Sequence, residues 1–137
     1  MSGGAALQDR LALRDLLTRY AHGVDTQDLP LVASCFTPDC AYEGQLGRGT
    51  IADALARLAE AFARYRTTLH YLGISEIAVA GDAARTETGC LAYHVRTDGR
   101  HLLAGVRYGD DLVRTLDGWR ICRRVVRTFW LLDAVSA

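Results

Sequence analysis

The segment GCLAYHVRTDGRHLLAGVRYGD, residues 89–110, contains the clearest structural signal in this chain. Two runs of alternating apolar and polar residues flank Asp98-Gly99, and this dipeptide between such runs indicates a β-hairpin. Asp117-Gly118 separates the next two runs in the same way. The pattern therefore predicts strands over roughly residues 74–80, 84–96, 101–114 and 119–131.

Apolar residues upstream of residue 72 recur instead with the 3.6-residue period of a helix. The first predicted helix weakens at Gly23, so that Asp25 stands at its end. The stripe that this helix is expected to bury consists of Leu13, Leu16, Leu17, Tyr20, Ala21 and Val24.

Two shorter helices are predicted before the first strand. Asp28 is a suitable N-cap for a second helix over Leu29–Phe36, and Thr50 with Asp53 forms the capping pattern of a third. Glycines at 44, 47 and 49 predict a loop between these two helices. Helices followed by strands in 137 residues predict one α+β domain over residues 1–137, with its helices packed on an antiparallel sheet.

Hairpin geometry assigns side chains to the two faces of the predicted sheet. If each turn contains two residues, strand alternation places His94, Arg96, His101 and Arg107 on the outer face. The side chains then expected on the core face are Leu91, Tyr93, Val95, Leu102, Ala104, Val106, Tyr108, Asp110, Leu112, Trp119, Ile121, Arg123, Val125, Arg127 and Phe129. A single β-bulge would invert part of this assignment.

The assignment predicts Asp110, Arg123 and Arg127 inside the concavity of the sheet. Buried arginines are costly unless they are paired, and Asp110 is within diagonal reach of both. Two interpretations stay open, a structural ion pair and an anchor for an oxyanion or carbonyl of a ligand.

Composition excludes several classes of function. Sixteen basic residues cancel sixteen acidic ones, so we expect neither a nucleic acid nor a membrane as partner. All sixteen basic residues are arginine, which excludes lysine Schiff-base chemistry and a P-loop. Residues 1–6 lack the pattern of a signal peptide, and no apolar run is long enough to span a bilayer. The expected location is the cytoplasm.

The four cysteines are scattered among apolar neighbours without a C-x-x-C pair. This distribution predicts buried free thiols rather than disulfides. The residues concerned are Cys35, Cys40, Cys90 and Cys122.

Asp25 and His70 are the candidate catalytic residues. A carboxylate that accepts a hydrogen bond from one imidazole nitrogen fixes the tautomer and raises the basicity of the other nitrogen. Taken alone, a histidine in such an apolar setting is more often a core residue than a catalyst, and an aspartate at a helix end is more often a structural residue; spacing does not show that they meet. His94 and His101 have no third ligand nearby in the pattern, so no metal site is predicted.

Five short motifs, taken in order, resemble the SnoaL-like branch of the nuclear transport factor 2-like superfamily. They are LxRYAxxxD over residues 17–25, FTPD over 36–39, LHYLG over 69–73, GxRYxD over 105–110 and DGWRI over 117–121. The resemblance covers nearly the whole chain. It implies a cone-shaped α+β barrel in which three N-terminal helices pack on a strongly curved mixed or antiparallel sheet.

The same resemblance implies a site. In scytalone dehydratase, bile-acid 7α-dehydratase and hexachlorocyclohexane dehydrochlorinase, an aspartate orients a histidine that removes a substrate proton, and these positions correspond to Asp25 and His70. Arg124 fits the dehydrochlorinase spacing, whereas the face assignment favours Arg127. The substrate-binding residues expected from the resemblance and the face assignment together are Tyr20, Tyr42, Tyr93, Tyr108, Arg127 and Trp130.

The implied activity is that of a lyase or isomerase that needs no cofactor and no metal, with dehydration as the first choice. The implied substrate is a small apolar cyclic or aromatic carbonyl compound, in the range of polyketide-like and steroid-like rings. Two other classes stay open, a non-catalytic small-molecule-binding module and a small assembly subunit like that of ring-hydroxylating dioxygenases. By the same analogy we expect a homo-oligomer, either a dimer or a trimer.

Overall fold

The computed structural model describes residues 3–135, the side chain of Ile74 excepted; residues 1–2 and 136–137 of the predicted domain lie outside the described residues. Within residues 3–135, no helix is both long and apolar enough to cross a membrane. The elements in chain order are α1 (Gly3–Asp25), α2 (Leu29–Ala33), β1 (Phe36–Gly44), β2 (Gly47–Thr50), α3 (Ile51–Phe62), β3 (Tyr65–Ala80), β4 (Ala83–Arg96), β5 (Arg100–Thr115) and β6 (Gly118–Val135).

The six strands form one mixed sheet in the order β2-β1-β6-β5-β4-β3. Strand β1 runs parallel to β6, and every other neighbouring pair is antiparallel. The sheet does not close on itself, because β2 and β3 are both edge strands. Helices α1 and α3 pack against its inner face, through β3 and β1 respectively. The prediction of a cone-shaped α+β fold is confirmed.

Both predicted helix caps are present, but the second helix is shorter than expected. Thr50 Oγ1 accepts a hydrogen bond from the Asp53 amide at 3.1 Å, and Asp28 caps α2. Helix α2 ends at Ala33; Ser34 and Cys35 form a turn, and Phe36, the last residue of the predicted helix, begins strand β1. Strand β1 and the β1–β2 hairpin replace the predicted glycine loop, because β1 pairs with distant β6 and local pattern does not reveal that pairing.

Helix α1 is fixed to the sheet near its N-terminus by a buried carboxylate. Arg114 donates two hydrogen bonds to Asp9, at 2.9 and 3.0 Å, and the Trp119 indole donates a third at 3.3 Å. These bonds and the burial of the predicted stripe hold α1 across the inner face of the sheet.

The β4–β5 turn contains three residues rather than two, which shifts the register by one. Val95 pairs with His101, and Gly99 takes a positive φ of 87° that suits the last position of such a turn. The face assignment of β4 is therefore inverted. Tyr93 lies on the outer face and is 39% exposed, so its prediction as a core-face residue is wrong, while His94 faces inward. The assignment of β5 is confirmed for Ala104, Val106, Tyr108, Asp110 and Leu112.

A β-bulge at Cys122 inverts the faces of β6 from Arg123 to Thr128. The pairs on either side of the bulge are Leu112 with Ile121 and Asp111 with Arg123. Arg124 is consequently the arginine inside the core, with no exposed surface. Arg123 and Arg127 are exposed on the outer face, so the prediction that they lie in the concavity is wrong.

A second register shift in β6 lies between the pairs Val106–Thr128 and Gly105–Trp130, and it places the Trp130 side chain on the outer face. Trp130 pairs with Gly105 and covers it on the outer face, where it is 42% exposed. The prediction that Trp130 lines the pocket is therefore wrong, and Phe129 is exposed as well. The four cysteines are free as predicted; Cys35, Cys40 and Cys90 are buried, and Cys122 is half-buried.

The core contains one fully buried ion pair. Arg124 donates to both carboxylate oxygens of Asp110, at 2.7 and 2.8 Å, and its guanidinium carbon lies 4.1 Å from the ring centre of Tyr20 and 4.3 Å from that of Tyr108. Burial by itself lowers the pKa of Arg124, but the Asp110 carboxylate outweighs it and the pKa is raised. The guanidinium is therefore charged, and the two aromatic rings supply cation–π stabilisation.

Replacing Asp110 by alanine leaves Arg124 as an unpaired buried charge, so the free energy of unfolding is expected to fall by about 3–5 kcal/mol. The double variant Asp110→Leu with Arg124→Met removes both charges and is expected to recover most of that loss. Urea unfolding followed by circular dichroism measures both. A loss below about 1 kcal/mol for Asp110→Ala would show that the pair is not needed for stability.

Candidate active site

The end of α1 is held next to the start of β3. Asp25 is the last residue of α1, and Gln27 takes a positive φ of 55° two residues later. The Gln27 side-chain amide donates to the backbone carbonyls of Phe62 and Tyr65, at 3.1 and 3.3 Å. These two hydrogen bonds hold the chain just after α1 against the start of β3, and the Asp25 carboxylate faces β3 at this point.

The Asp25 carboxylate makes three contacts with β3. Its Oδ1 lies 2.7 Å from His70 Nδ1 and accepts a hydrogen bond from Thr68 Oγ1 at 2.9 Å. Its Oδ2 accepts from the His70 backbone amide at 2.9 Å. The fold thus brings the two candidate catalytic residues together. Thr68 was not predicted, because the first strand was expected to begin only at residue 74.

The Asp25–His70 contact orients the imidazole, with Nδ1 towards the carboxylate. Burial raises the pKa of Asp25, but the hydrogen bonds from His70 and Thr68 outweigh burial and the pKa is lowered. Asp25 is then an anion at neutral pH and can accept a hydrogen bond from His70 Nδ1. His70 Nε2 has no hydrogen-bond partner within the described part of the chain. It is the nitrogen available for proton transfer.

A cavity of about 180 Å³ lies between the helices and the inner face of the sheet, and His70 forms part of its wall. Three of the predicted substrate-binding residues, Tyr20, Tyr42 and Tyr108, line the cavity, whereas Tyr93, Arg127 and Trp130 do not. The full lining is Tyr20, Val24, Tyr42, Gln45, Leu46, Leu58, Ala61, Phe62, Arg64, Tyr65, Thr68, His70, Ala92, His94, Val106, Tyr108 and Val126.

The three tyrosines form a wall of neutral phenols. Burial raises the pKa of Tyr20, Tyr42 and Tyr108, so each stays protonated at neutral pH and keeps an O–H donor. The Arg124 guanidinium lies behind Tyr20 and Tyr108 and does not line the cavity. The Tyr20 and Tyr108 rings therefore separate the cavity from the guanidinium of the Arg124–Asp110 pair.

His94 is a cavity residue that the face assignment missed. Its ring meets the His70 ring edge to face, with centres 5.6 Å apart, and its centre lies 4.9 Å from that of Tyr65. Burial, followed by the neighbouring His70, lowers the pKa of His94 to about 4. His94 is then a neutral imidazole at pH 7, able to donate or accept a hydrogen bond. His101 lies on the outer face beside Tyr93, so the two histidines are apart.

The fold and the site define a class before any relative is considered: an α+β cone whose inner face encloses a small cavity with a hydrogen-bonded Asp–His pair. Solved structures of the nuclear transport factor 2-like superfamily share this fold, with a TM-score of 0.76 to one from Salmonella enterica. Residues 5–125 match the SnoaL-like domain, and the chain belongs to that family.

Individual relatives agree with this assignment. Uncharacterized protein Rv2910c of Mycobacterium tuberculosis is 34% identical over 127 residues, 88% of this chain and 86% of that protein. A candidate aromatic ring hydroxylase from Novosphingobium aromaticivorans has a TM-score of 0.87 at 29% identity, covering 93% and 94% of the two chains. A candidate scytalone dehydratase from the same species has a TM-score of 0.89 at 21% identity, covering 99% and 94%, and this likeness shows the fold alone.

The low pKa of His94 makes a prediction about stability. Unfolded histidine has a pKa of ~6.5, so the folded chain binds fewer protons than the unfolded chain between pH 6.5 and about 4. The contribution of neutral His94 is complete above pH 6.5 and is lost as the pH falls towards 4.

The variant His94→Gln removes this titration. Between pH 7 and pH 5, its free energy of unfolding is expected to fall less than that of the wild type, by on the order of 1 kcal/mol. Urea unfolding at both pH values gives the comparison, with exposed His22→Gln as the control. Equal pH dependence in His94→Gln and wild type would show that His94 is not held neutral by the fold.

Proposed function

We propose that the protein is a cofactor-independent lyase that dehydrates a small cyclic carbonyl compound, with His70 as the base. The observation that carries the proposal is the 2.7 Å contact between Asp25 and His70 Nδ1, beside a cavity that His70 lines. Membership of the SnoaL-like family and the dehydratase-like fold of its neighbours support the reaction class.

The first step is removal of a proton from the carbon next to the carbonyl. His70 Nε2 takes the proton, and the electron pair of the C–H bond moves to the carbonyl oxygen to form an enolate. Asp25 stabilises the imidazolium that results, since its carboxylate accepts a hydrogen bond from the Nδ1–H group. Neutral His94 adds no second positive charge beside that imidazolium.

The second step is loss of a hydroxyl group from the next carbon. The enolate collapses, the C–O bond breaks, and the departing hydroxyl takes the proton from His70 and leaves as water. A phenol of the tyrosine wall, Tyr20 or Tyr42, donates to the enolate oxygen, and the charge of Arg124 behind Tyr20 favours the same negative charge. Return of the proton to another carbon instead would make the enzyme an isomerase.

The cavity volume favours a substrate with one ring. A dry protein cavity of roughly 150 Å³ accommodates benzene, and the cavity here measures about 180 Å³. One six-membered ring with small substituents fills that space, whereas a four-ring steroid exceeds it. We therefore propose a monocyclic β-hydroxy ketone as the substrate class.

A role as an assembly subunit has one observation in its favour, the 29% identity to a candidate aromatic ring hydroxylase. Such a subunit has no need of a cavity. Nor does it need a carboxylate held by three contacts beside a histidine whose second nitrogen has no hydrogen-bond partner among residues 3–135. These features favour an enzyme.

Proton abstraction can be tested before the substrate is identified. Wild-type protein is expected to exchange the hydrogens next to the carbonyl of monocyclic ketones for deuterium in D₂O, as followed by NMR. His70→Gln is expected to lower the exchange rate by about 100-fold or more, since general-base catalysis contributes that much. Asp25→Asn is expected to lower it too, and exposed His22→Gln, a matched histidine change on α1, is expected to leave it unchanged.

Thermal unfolding of each variant separates loss of the base from loss of the fold. A ketone that binds to wild-type protein without exchange would contradict the lyase and favour the binding module. Exchange that persists in folded His70→Gln would exclude His70 as the base.

A further inference from the structure

Two of the residues that line the cavity are exposed, and they mark its mouth. They are Gln45, between β1 and β2, and Arg64, between α3 and β3. The Gln45 side-chain amide already donates a hydrogen bond to Thr128 Oγ1 at 2.8 Å. The Arg64 guanidinium forms no hydrogen bond or ion pair with any of residues 3–135. The mouth therefore presents a charged donor group that is available to a ligand.

Hydrogen bonds of the Arg64 backbone fix this residue at the mouth. Its amide donates to the Ala61 carbonyl at 2.9 Å. Its carbonyl accepts from the Thr97 amide at 3.0 Å and from the Thr97 hydroxyl at 3.4 Å. Ala61 belongs to α3 and Thr97 to the turn between β4 and β5, so Arg64 is held from the helix and from the sheet. The guanidinium is thereby confined to the region of the mouth.

A row of rings leads from the proposed base to Arg64. The His94 ring contacts both the His70 ring and the Tyr65 ring, with centres 5.6 and 4.9 Å apart. Tyr65 follows Arg64 directly in the chain, and all four residues line the cavity. A ligand that presents a C–H bond to His70 can therefore extend along this wall to the mouth.

The cavity wall contains no carboxylate that would compete with a ligand for Arg64. Among residues 3–135, the lining includes no aspartate or glutamate, and Arg64 is the lining residue with a permanent charge. An exposed arginine is by itself ordinary on a protein surface. An arginine held at the mouth of a cavity without acidic residues is placed to meet an anionic group of the ligand. The guanidinium matches a carboxylate well, because two parallel N–H groups can donate to its two oxygens.

We propose that Arg64 is a substrate-binding residue that selects a carboxylate on the ketone. The inference rests on the proposed function, and it narrows the substrate class to a monocyclic β-hydroxy ketone with a carboxylate remote from the reacting carbons. The ring occupies the cavity beside His70, and the carboxylate lies at the mouth and accepts hydrogen bonds from Arg64. Because this contact is remote from the bonds that break, it strengthens the binding of substrate and transition state equally.

Two ketones that differ in the charge of one substituent test the inference. The first is cyclohexanone with a carboxylate on the ring carbon opposite the carbonyl, and the second has a neutral carboxamide of nearly the same shape at that carbon. Wild-type protein is expected to bind the carboxylate about 10-fold more tightly in NMR titrations, since hydrogen bonds to charged groups contribute that much. Arg64→Gln is expected to remove this preference.

Charge reversal and a matched control sharpen the test. Arg64→Glu is expected to prefer cyclohexanone with an ammonium group on the same ring carbon. Arg64→Lys, which keeps the charge but not the paired donors, is expected to retain part of the preference for the carboxylate. Arg66→Gln removes an exposed arginine of β3 that does not line the cavity, and it is expected to keep the wild-type preference. Thermal unfolding shows whether each variant is folded.

Binding and hydrogen exchange are measured separately, so this inference and the proposed function can fail independently. A carboxylate preference that disappears in folded Arg64→Gln supports the inference, whether or not the bound ketone exchanges its hydrogens. Equal binding of the two ketones to wild-type protein would overturn it, even where exchange depends on His70. So would a carboxylate that does not bind, or a preference that survives in Arg64→Gln or is lost in Arg66→Gln.

Discussion

The geometry of the site depends on the contacts that the Asp25 carboxylate makes with β3. It joins the end of α1 to β3 through His70 and Thr68, and it is the same group that orients the imidazole. The cavity lies between these two elements, so its shape and its chemistry rest on one side chain. Asp9, near the other end of α1, is hydrogen-bonded to Arg114 of the sheet, so that side-chain contacts hold the helix to the sheet towards both of its ends.

The interior combines fixed charge with neutral donors. The Arg124 guanidinium is a fixed positive charge that is paired with the Asp110 carboxylate, while the tyrosines and His94 around the cavity remain uncharged at neutral pH. Negative charge that develops on a bound ligand is therefore stabilised by nearby donors. Burial underlies both the neutral donors and the strength of the buried charge. It keeps the phenols protonated, and it strengthens the electrostatic field of the guanidinium.

Much of the fold could be predicted from periodicity, but the facing of single side chains could not. The helix stripe, the Thr50 cap and the faces of β5 follow from local pattern. One extra residue in the turn before Arg100 makes His94, rather than Tyr93, face inward. One extra residue at Cys122 places Arg124, rather than Arg127, in the core. Bulges and turn lengths depend on pairing across the sheet, which a single sequence does not display. Asp25 and His70 could be selected as candidates from their local sequence, and the resemblance paired them; neither step depends on strand facing.

The most direct test of the proposed base is the protonation of the two His70 nitrogens at neutral pH. Nitrogen-15 NMR of histidine-labelled protein distinguishes a protonated from a bare ring nitrogen, with His70→Gln identifying the signals. We predict a protonated Nδ1, held by Asp25, and a bare Nε2 facing the cavity, with this preference lost in Asp25→Asn. A protonated Nε2 with a bare Nδ1 in the wild type would contradict the assignment of His70 as the base.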